Sequence, residues 1–232
     1  MKTQKYWNSI TPALLLLVSS MLYACGSMDE TYEQFLEGGE KIYVAKADSI
    51  KILPGRNRVE LSWLLLGDPK VSRYKVYWNN KQDFIENQVT KTDGIDTVRL
   101  EIKDLVEGSH TFQIFTFDSN GNSSVKAEVA GRAYGEHYEN SLLNATMSKQ
   151  LRKGEDWNII WNKNQPEGLA VMEIEYQNTD DQLVRTRFSN FSDTTKLKKF
   201  PLKGTYQFRS GFLPDSLALD TFYVKYEQIK TN

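Results

Sequence analysis

The chain runs to 232 residues but holds a single cysteine, two histidines and six prolines. One thiol forms no internal disulfide, and one Cys with two His falls short of a four-ligand Cys/His zinc site. No cofactor is expected. Charge of one sign is lacking as well: 29 basic against 30 acidic residues leave a formal net charge of −1, so no broad positive field favours nucleic acid. No Gly-x-x-x-x-Gly-Lys phosphate loop and no His-Glu-x-x-His helix is present. The apolar run from Ala13 to Leu22 is too short to remain as a membrane-spanning helix.

That run follows the positive charges of Lys2 and Lys5, so residues 1–24 read as an export signal that is cleaved. It ends in Leu22-Tyr23-Ala24-Cys25-Gly26, which resembles a bacterial lipobox, with small Ala24 before the scissile bond and Cys25 as the acylated residue. The alternative is an ordinary signal peptide with a cysteine beside it by chance. Two or three acyl chains, at about 0.8 kcal/mol per buried methylene, hold a protein to a membrane with no spanning helix. Residues 25–45 form an acidic tether in which Asp29, Glu30, Glu33, Glu37 and Glu40 precede Lys41. An acidic stretch behind the lipid resembles the surface-export signal of Bacteroidota lipoproteins; the other reading is a solvated spacer helix over residues 29–36. The expected location is the outer membrane, lipid-anchored and facing the cell exterior.

Past residue 46 the hydrophobic period becomes two, as in half-buried strands. Val59, Leu61 and Trp63 alternate with polar neighbours, as do Tyr74, Val76 and Trp78, and Val98, Leu100 and Ile102. Phe112, Ile114 and the run Phe115 to Phe117 make a further apolar strand, closed by a tight reversal at Asp118-Ser119-Asn120-Gly121-Asn122. A following strand is expected from about Val125 to Ala133. The Val-x-Leu-x-Trp of residues 59–63, the Tyr-x-Val-x-Trp of 74–78, and Leu105-x-x-Gly108 resemble the fibronectin type III module over residues 46–133. The resemblance implies an antiparallel β-sandwich with Trp63 in its core.

Residues 134–232 repeat the plan. Trp63 answers to Trp161, Asp96 to Leu100 answers to Asp193 to Leu197, Leu105 to Leu202, and Phe112 to Phe208. A nearly constant offset implies two tandem sandwiches, all-β and immunoglobulin-like, the second degenerate and closed by a strand from about Thr221 to Tyr226. Taken together, Tyr32 to Glu40, Pro54 to Arg58, Leu61-Ser62-Trp63, Tyr77 to Asn80 and Asp220 to Val224 look like a Bacteroidota lipoprotein family catalogued as domain of unknown function 4998. The resemblance carries no activity and no site residues. It implies an association with outer-membrane glycan-uptake systems.

Catalytic constellations are thin. His110 and His137 lie near no nucleophile motif and read as bystanders; Asp180-Asp181 and Glu173 with Glu175 read as solvated acids rather than a hydrolytic pair. The Asp118 to Asn122 loop lacks the order of acids of a calcium loop. Aromatic residues are the surplus: sugars stack their C–H faces on exposed rings. Candidate ligand-binding residues are Trp78 with Asn79 and Asn80 at a strand end, Tyr77 on the opposite face from Tyr74, and Trp157 at a strand start, with Tyr134 and Tyr138 in the linker.

Four Asp-Ser/Thr-apolar sequences place Ser49, Thr97, Thr194 and Ser216 behind an aspartate. They resemble sites at which Bacteroidota attach O-glycans, and they also suit strand starts in which Asp caps the turn. Two function classes compete. One is a noncatalytic, surface-anchored binding or scaffold module for a glycan or an outer-membrane partner protein; the other is a glycan-active enzyme with an unrecognised carboxylate site.

Overall fold

The structure is a computed structural model and describes residues 43–189 and 193–231. The signal peptide, Cys25 and the acidic tether up to residue 42 lie outside the described residues.

Residues 44–133 build a first sandwich. Strands β1 (Asp48–Gly55), β2 (Arg58–Leu65) and β5 (Asp96–Ile102) form one antiparallel sheet in the order β1-β2-β5. Strands β3 (Val71–Trp78), β4 (Asp83–Gln88), β6 (Gly108–Asp118) and β7 (Ala127–Ala133) form the other, in the order β4-β3-β6-β7. Alternation dictates the layering. Val59, Leu61, Trp63 and Leu65 of β2 all point inward and meet Tyr74 and Val76 of β3 and Phe112 and Ile114 of β6. Trp63 is 1% exposed and meets Tyr74 edge to face, with centroids 4.9 Å apart. This three-plus-four arrangement of short antiparallel strands is a fibronectin type III-like sandwich.

The second sandwich repeats it. Strands β8 (Met147–Lys153), β9 (Asp156–Trp161) and β12 (Thr194–Leu197) form the sheet β12-β9-β8. Opposite lie β10 (Leu169–Gln177), β11 (Leu183–Phe188) and β13 (Thr205–Phe212), in the order β11-β10-β13, with β14 (Phe222–Tyr223) and β15 (Glu227–Lys230) both on the outer flank of β13. Its separate core gathers Ile159, Trp161, Ile174, Tyr176, Phe200, Tyr206 and Phe208. Between the sandwiches stands one short helix, α1 (Glu136–Ser141).

Several local expectations change. Phe115 and Phe117 face outward, because strict alternation from Phe112 and Ile114 puts Thr116 inside, where its hydroxyl donates to the Ala45 carbonyl. Strand β7 begins at Ala127; Val125 precedes it and is exposed. Leu202 is 79% exposed, and buried Phe200 fills the place that Leu105 holds in the first core. The closing strand is split. From Tyr223 opposite Gly211 to Glu227 opposite Phe208, the outer strand takes four steps against three, so one extra residue bulges out and breaks the ladder.

A dense contact zone joins the two sandwiches. Arg58 donates to Asp220 through Nε (3.0 Å) and Nη2 (2.7 Å), and its Nη1 reaches Glu101. Arg56 grips Glu139 of α1 with two 2.8 Å bonds and lies over the Phe222 ring, 4.8 Å from its centroid. Tyr134 and Tyr138 pack on each other at 4.7 Å and on Phe222. The linker aromatics are thus half-buried and packed on Phe222 of the second sandwich.

Candidate functional site

Strand β3 ends at Trp78, and the next three residues, Asn79, Asn80 and Lys81, all adopt left-handed backbone with φ of 47°, 53° and 66°. Asparagine tolerates this conformation because its short polar side chain bonds locally. Asn79 does so, donating from Nδ2 to Asp83 (3.1 Å) and Gln82 (3.3 Å). The turn carries the chain away from β6 just after the last β3–β6 pair, Tyr77 with Gln113. Strand β6 begins five residues before Gln113, at Gly108, and pairs there only with β7. The mismatch in length leaves a notch of about 490 Å³ lined by Tyr77, Trp78, Asn79, Asn80 and Lys81 on one side and Ser109, His110, Thr111 and Gln113 on the other.

Trp78 forms the inner wall, half-buried against Phe112 with centroids 6.5 Å apart. Tyr77 stands on the outer face between Phe84 and Phe115, each at 5.9 Å. Lys75 lies over this aromatic cluster, 3.8 Å from the Phe84 centroid. His110 Nε2 lies 2.7 Å from the Val106 carbonyl; a carbonyl only accepts, so Nε2 carries the proton and Nδ1 is left for a partner. Gln113 donates to Glu128 through Nε2, while its Oε1 is shielded from solvent without a hydrogen bond.

Of the sequence candidates, Tyr77, Trp78, Asn79 and Asn80 come together here. Trp157 does not: it lies in the second sandwich, where its indole donates to Gln150 at 3.2 Å and packs against Phe200. His110, read from sequence as a bystander, lines the notch. Lys81, Ser109, Thr111 and Gln113 were missed; extending the β3–β6 register past Tyr77 would have found the residues on β6. Ser49, Thr97, Thr194 and Ser216 are all exposed, the Ser49 hydroxyl donating to Asp48, and two of the four aspartates bond to the backbone. Asp96 accepts from the Thr92 amide and hydroxyl, and Asp215 accepts from the Leu217 amide.

Several acids elsewhere are engaged by cations or amides. Glu173 pairs with Arg209 and Arg187, and Glu175 with Arg185. The Gln207 hydrogen bond, with Arg185 beside it, holds Glu175 below the usual carboxylate range. Such a group is a poor proton donor. Asp180 pairs with Lys199 at 2.7 Å. Asp118 accepts from the Asn120 and Asn122 amides and the Asn122 side chain, closing a turn. Among the described residues no cluster of His, Cys, Asp or Glu suits a metal ion, and no helix is long and apolar enough to cross a membrane.

The molecule is thus a pair of fibronectin type III-like sandwiches with a polar, aromatic-walled notch at the end of one sheet. The chain belongs to the family described as domain of unknown function 4998, whose model matches residues 25–222. Solved structures similar to it include the FN1–FN3 domains of chicken CNTN1, at 15% identity and a TM-score of 0.39, covering 81% of this chain and 65% of that one. A segment of two fibronectin type III domains from chicken tenascin is 11% identical at a TM-score of 0.31, covering 80% of this chain and 98% of that one. The chain thus spans about two thirds of the CNTN1 segment. No curated protein matches it.

Proposed function

We propose that this chain is a noncatalytic binding or scaffold module, held at the outer membrane by lipid on Cys25 and facing the exterior, which takes a glycan in the notch at the end of β3. The observation that carries this reading is the convergence of Tyr77, Trp78, Asn79 and Asn80 with His110 on one cavity. An aromatic wall with convergent amides and hydroxyls is the usual make-up of a polar small-ligand site. The paired carboxylates outside it are held by arginines, which favours binding over hydrolysis. The exposed hydroxyls of Ser49, Thr97, Thr194 and Ser216 would then be open to O-glycosylation at the rims of the sandwiches.

A glycan array probed with the full chain in detergent tests the reading. Binding without product release, weakened by Trp78→Ala and not by Trp157→Ala, is expected. Cleavage of a bound oligosaccharide would overturn it. For the anchor, Cys25→Ser should move the protein out of the membrane fraction and remove its acyl mass.

A further inference from the structure

The side chains lining the notch include one cation, Lys81, and no acid. Lys81 forms no ion pair among the described residues; its Nζ stands 5.7 Å above the Phe115 ring. Two acids bond to the lining from outside it: Asp83 accepts from Asn79, and Glu128 from Gln113 and Lys126. Asn80, Ser109 and Thr111 are exposed at the rim and offer an amide and two hydroxyls with no protein partner. The lining therefore offers unpaired hydroxyls, an amide and one ammonium and contributes no carboxylate of its own, while Trp78 gives it an apolar wall.

We infer that the notch selects an acidic saccharide unit, whose carboxylate or sulfate is met by Lys81 and whose ring packs against Trp78. This rests on the glycan-binding reading above and adds the charge. A charge-assisted hydrogen bond is shorter and roughly twice as strong as a neutral one, so an anionic group is the partner that a lone ammonium discriminates best. Sugar hydroxyls both donate and accept, matching the exposed amide of Asn80 and the hydroxyls of Ser109 and Thr111. An acidic peptide added as a strand fits less well. Only the start of β6 before its pairing with β3 is open, and the turn at Asn79 to Lys81 curls away beside it.

The test compares matched ligands on the full chain in detergent by calorimetry: oligogalacturonate, alginate and chondroitin oligosaccharides, the carboxyl methyl ester of each, and chondroitin sulfate. At least one acidic oligosaccharide should bind about tenfold more tightly than its own ester. If the sulfated chondroitin alone binds, the anion read is sulfate; if the unsulfated acids bind, it is carboxylate. Lys81→Gln should bring the acid down to the affinity of the ester and leave the ester unchanged, with melting temperature confirming the fold. Trp78→Ala should weaken both, and Asn80→Ala, which leaves the core untouched, supplies a second variant should Trp78→Ala unfold. Equal affinity for acid and ester, with Lys81→Gln silent, would overturn the inference while leaving a glycan site in place. Binding to neither form across the panel, with neutral glycans bound on the array, likewise overturns the charge; binding to no glycan at all overturns both readings.

Discussion

At the scale of single residues, the two core tryptophans show how one sequence landmark comes to rest in two chemical settings. Trp161 donates its indole hydrogen to Thr195 Oγ1 at 2.8 Å, whereas the Trp63 Nε1 is buried without a partner. An unsatisfied buried donor costs about 1–3 kcal/mol, a penalty that phenylalanine does not carry. Trp63→Phe should therefore destabilise the protein less than Trp161→Phe, by roughly 1–3 kcal/mol, since both lose similar volume but only the second breaks a bond and strands a hydroxyl. Urea denaturation of the two variants measures this. A larger loss for Trp63→Phe would show that packing volume, not hydrogen bonding, separates the sites.

At the scale of elements, legibility followed how strictly a strand alternates. β2, β3 and β5 are half-buried with charged outer neighbours, so their period of two names the core face at once. β6 misled because its outer face is aromatic: Phe115 and Phe117 sit in water-facing positions covered by cations, Arg73 lying 4.3 Å from the Phe117 centroid, and hydrophobicity alone does not tell such rings from core. The β14–β15 bulge hides for another reason, since an extra residue shifts the period without changing composition. The notch was half legible. An aromatic and two asparagines at a strand end declare themselves locally, but their partners on β6 are joined to them only by register. Gly131 belongs to the same class of feature: on β7 it lets the edge of the second sheet close over Ile52 of β1, whose side chain a Cβ would overlap. Gly131→Ala should cost about 1–3 kcal/mol by overpacking. Adding Ile52→Ala should recover part of that loss, and thermal melts of the single and double variants would show whether the contact is the cause.

At the scale of the whole molecule, the contact between the sandwiches depends on charge. Arg58, by hydrogen bonding, and then the Arg56 amide hold Asp220 below the usual carboxylate range. A carboxyl with a depressed folded pKa adds stability that is complete above its unfolded value, about 4, and is lost as pH falls through the folded one. Asp220→Asn should remove about 1–2 kcal/mol at pH 7, a figure discounted for the third of Arg58 that solvent reaches. The loss should shrink as pH falls below about 4, where wild type protonates Asp220 itself. Calorimetry across pH should show the transitions of the two sandwiches moving apart in the variant at pH 7. An unchanged profile would assign the cohesion to Tyr134, Tyr138 and Phe222 alone.

The partners in that clamp lie 162 residues apart in sequence. A ribosome adding 5–20 residues per second needs on the order of 10–30 s to travel from one to the other. For that interval the first sandwich can be complete while the Arg58 guanidinium holds Glu101 but still lacks Asp220, and Gly55, whose Cβ position is crowded by that carboxylate, is uncovered. The nascent chain therefore carries a half-paired guanidinium on its finished sandwich, which is completed only when Asp220 arrives just ahead of the last strands.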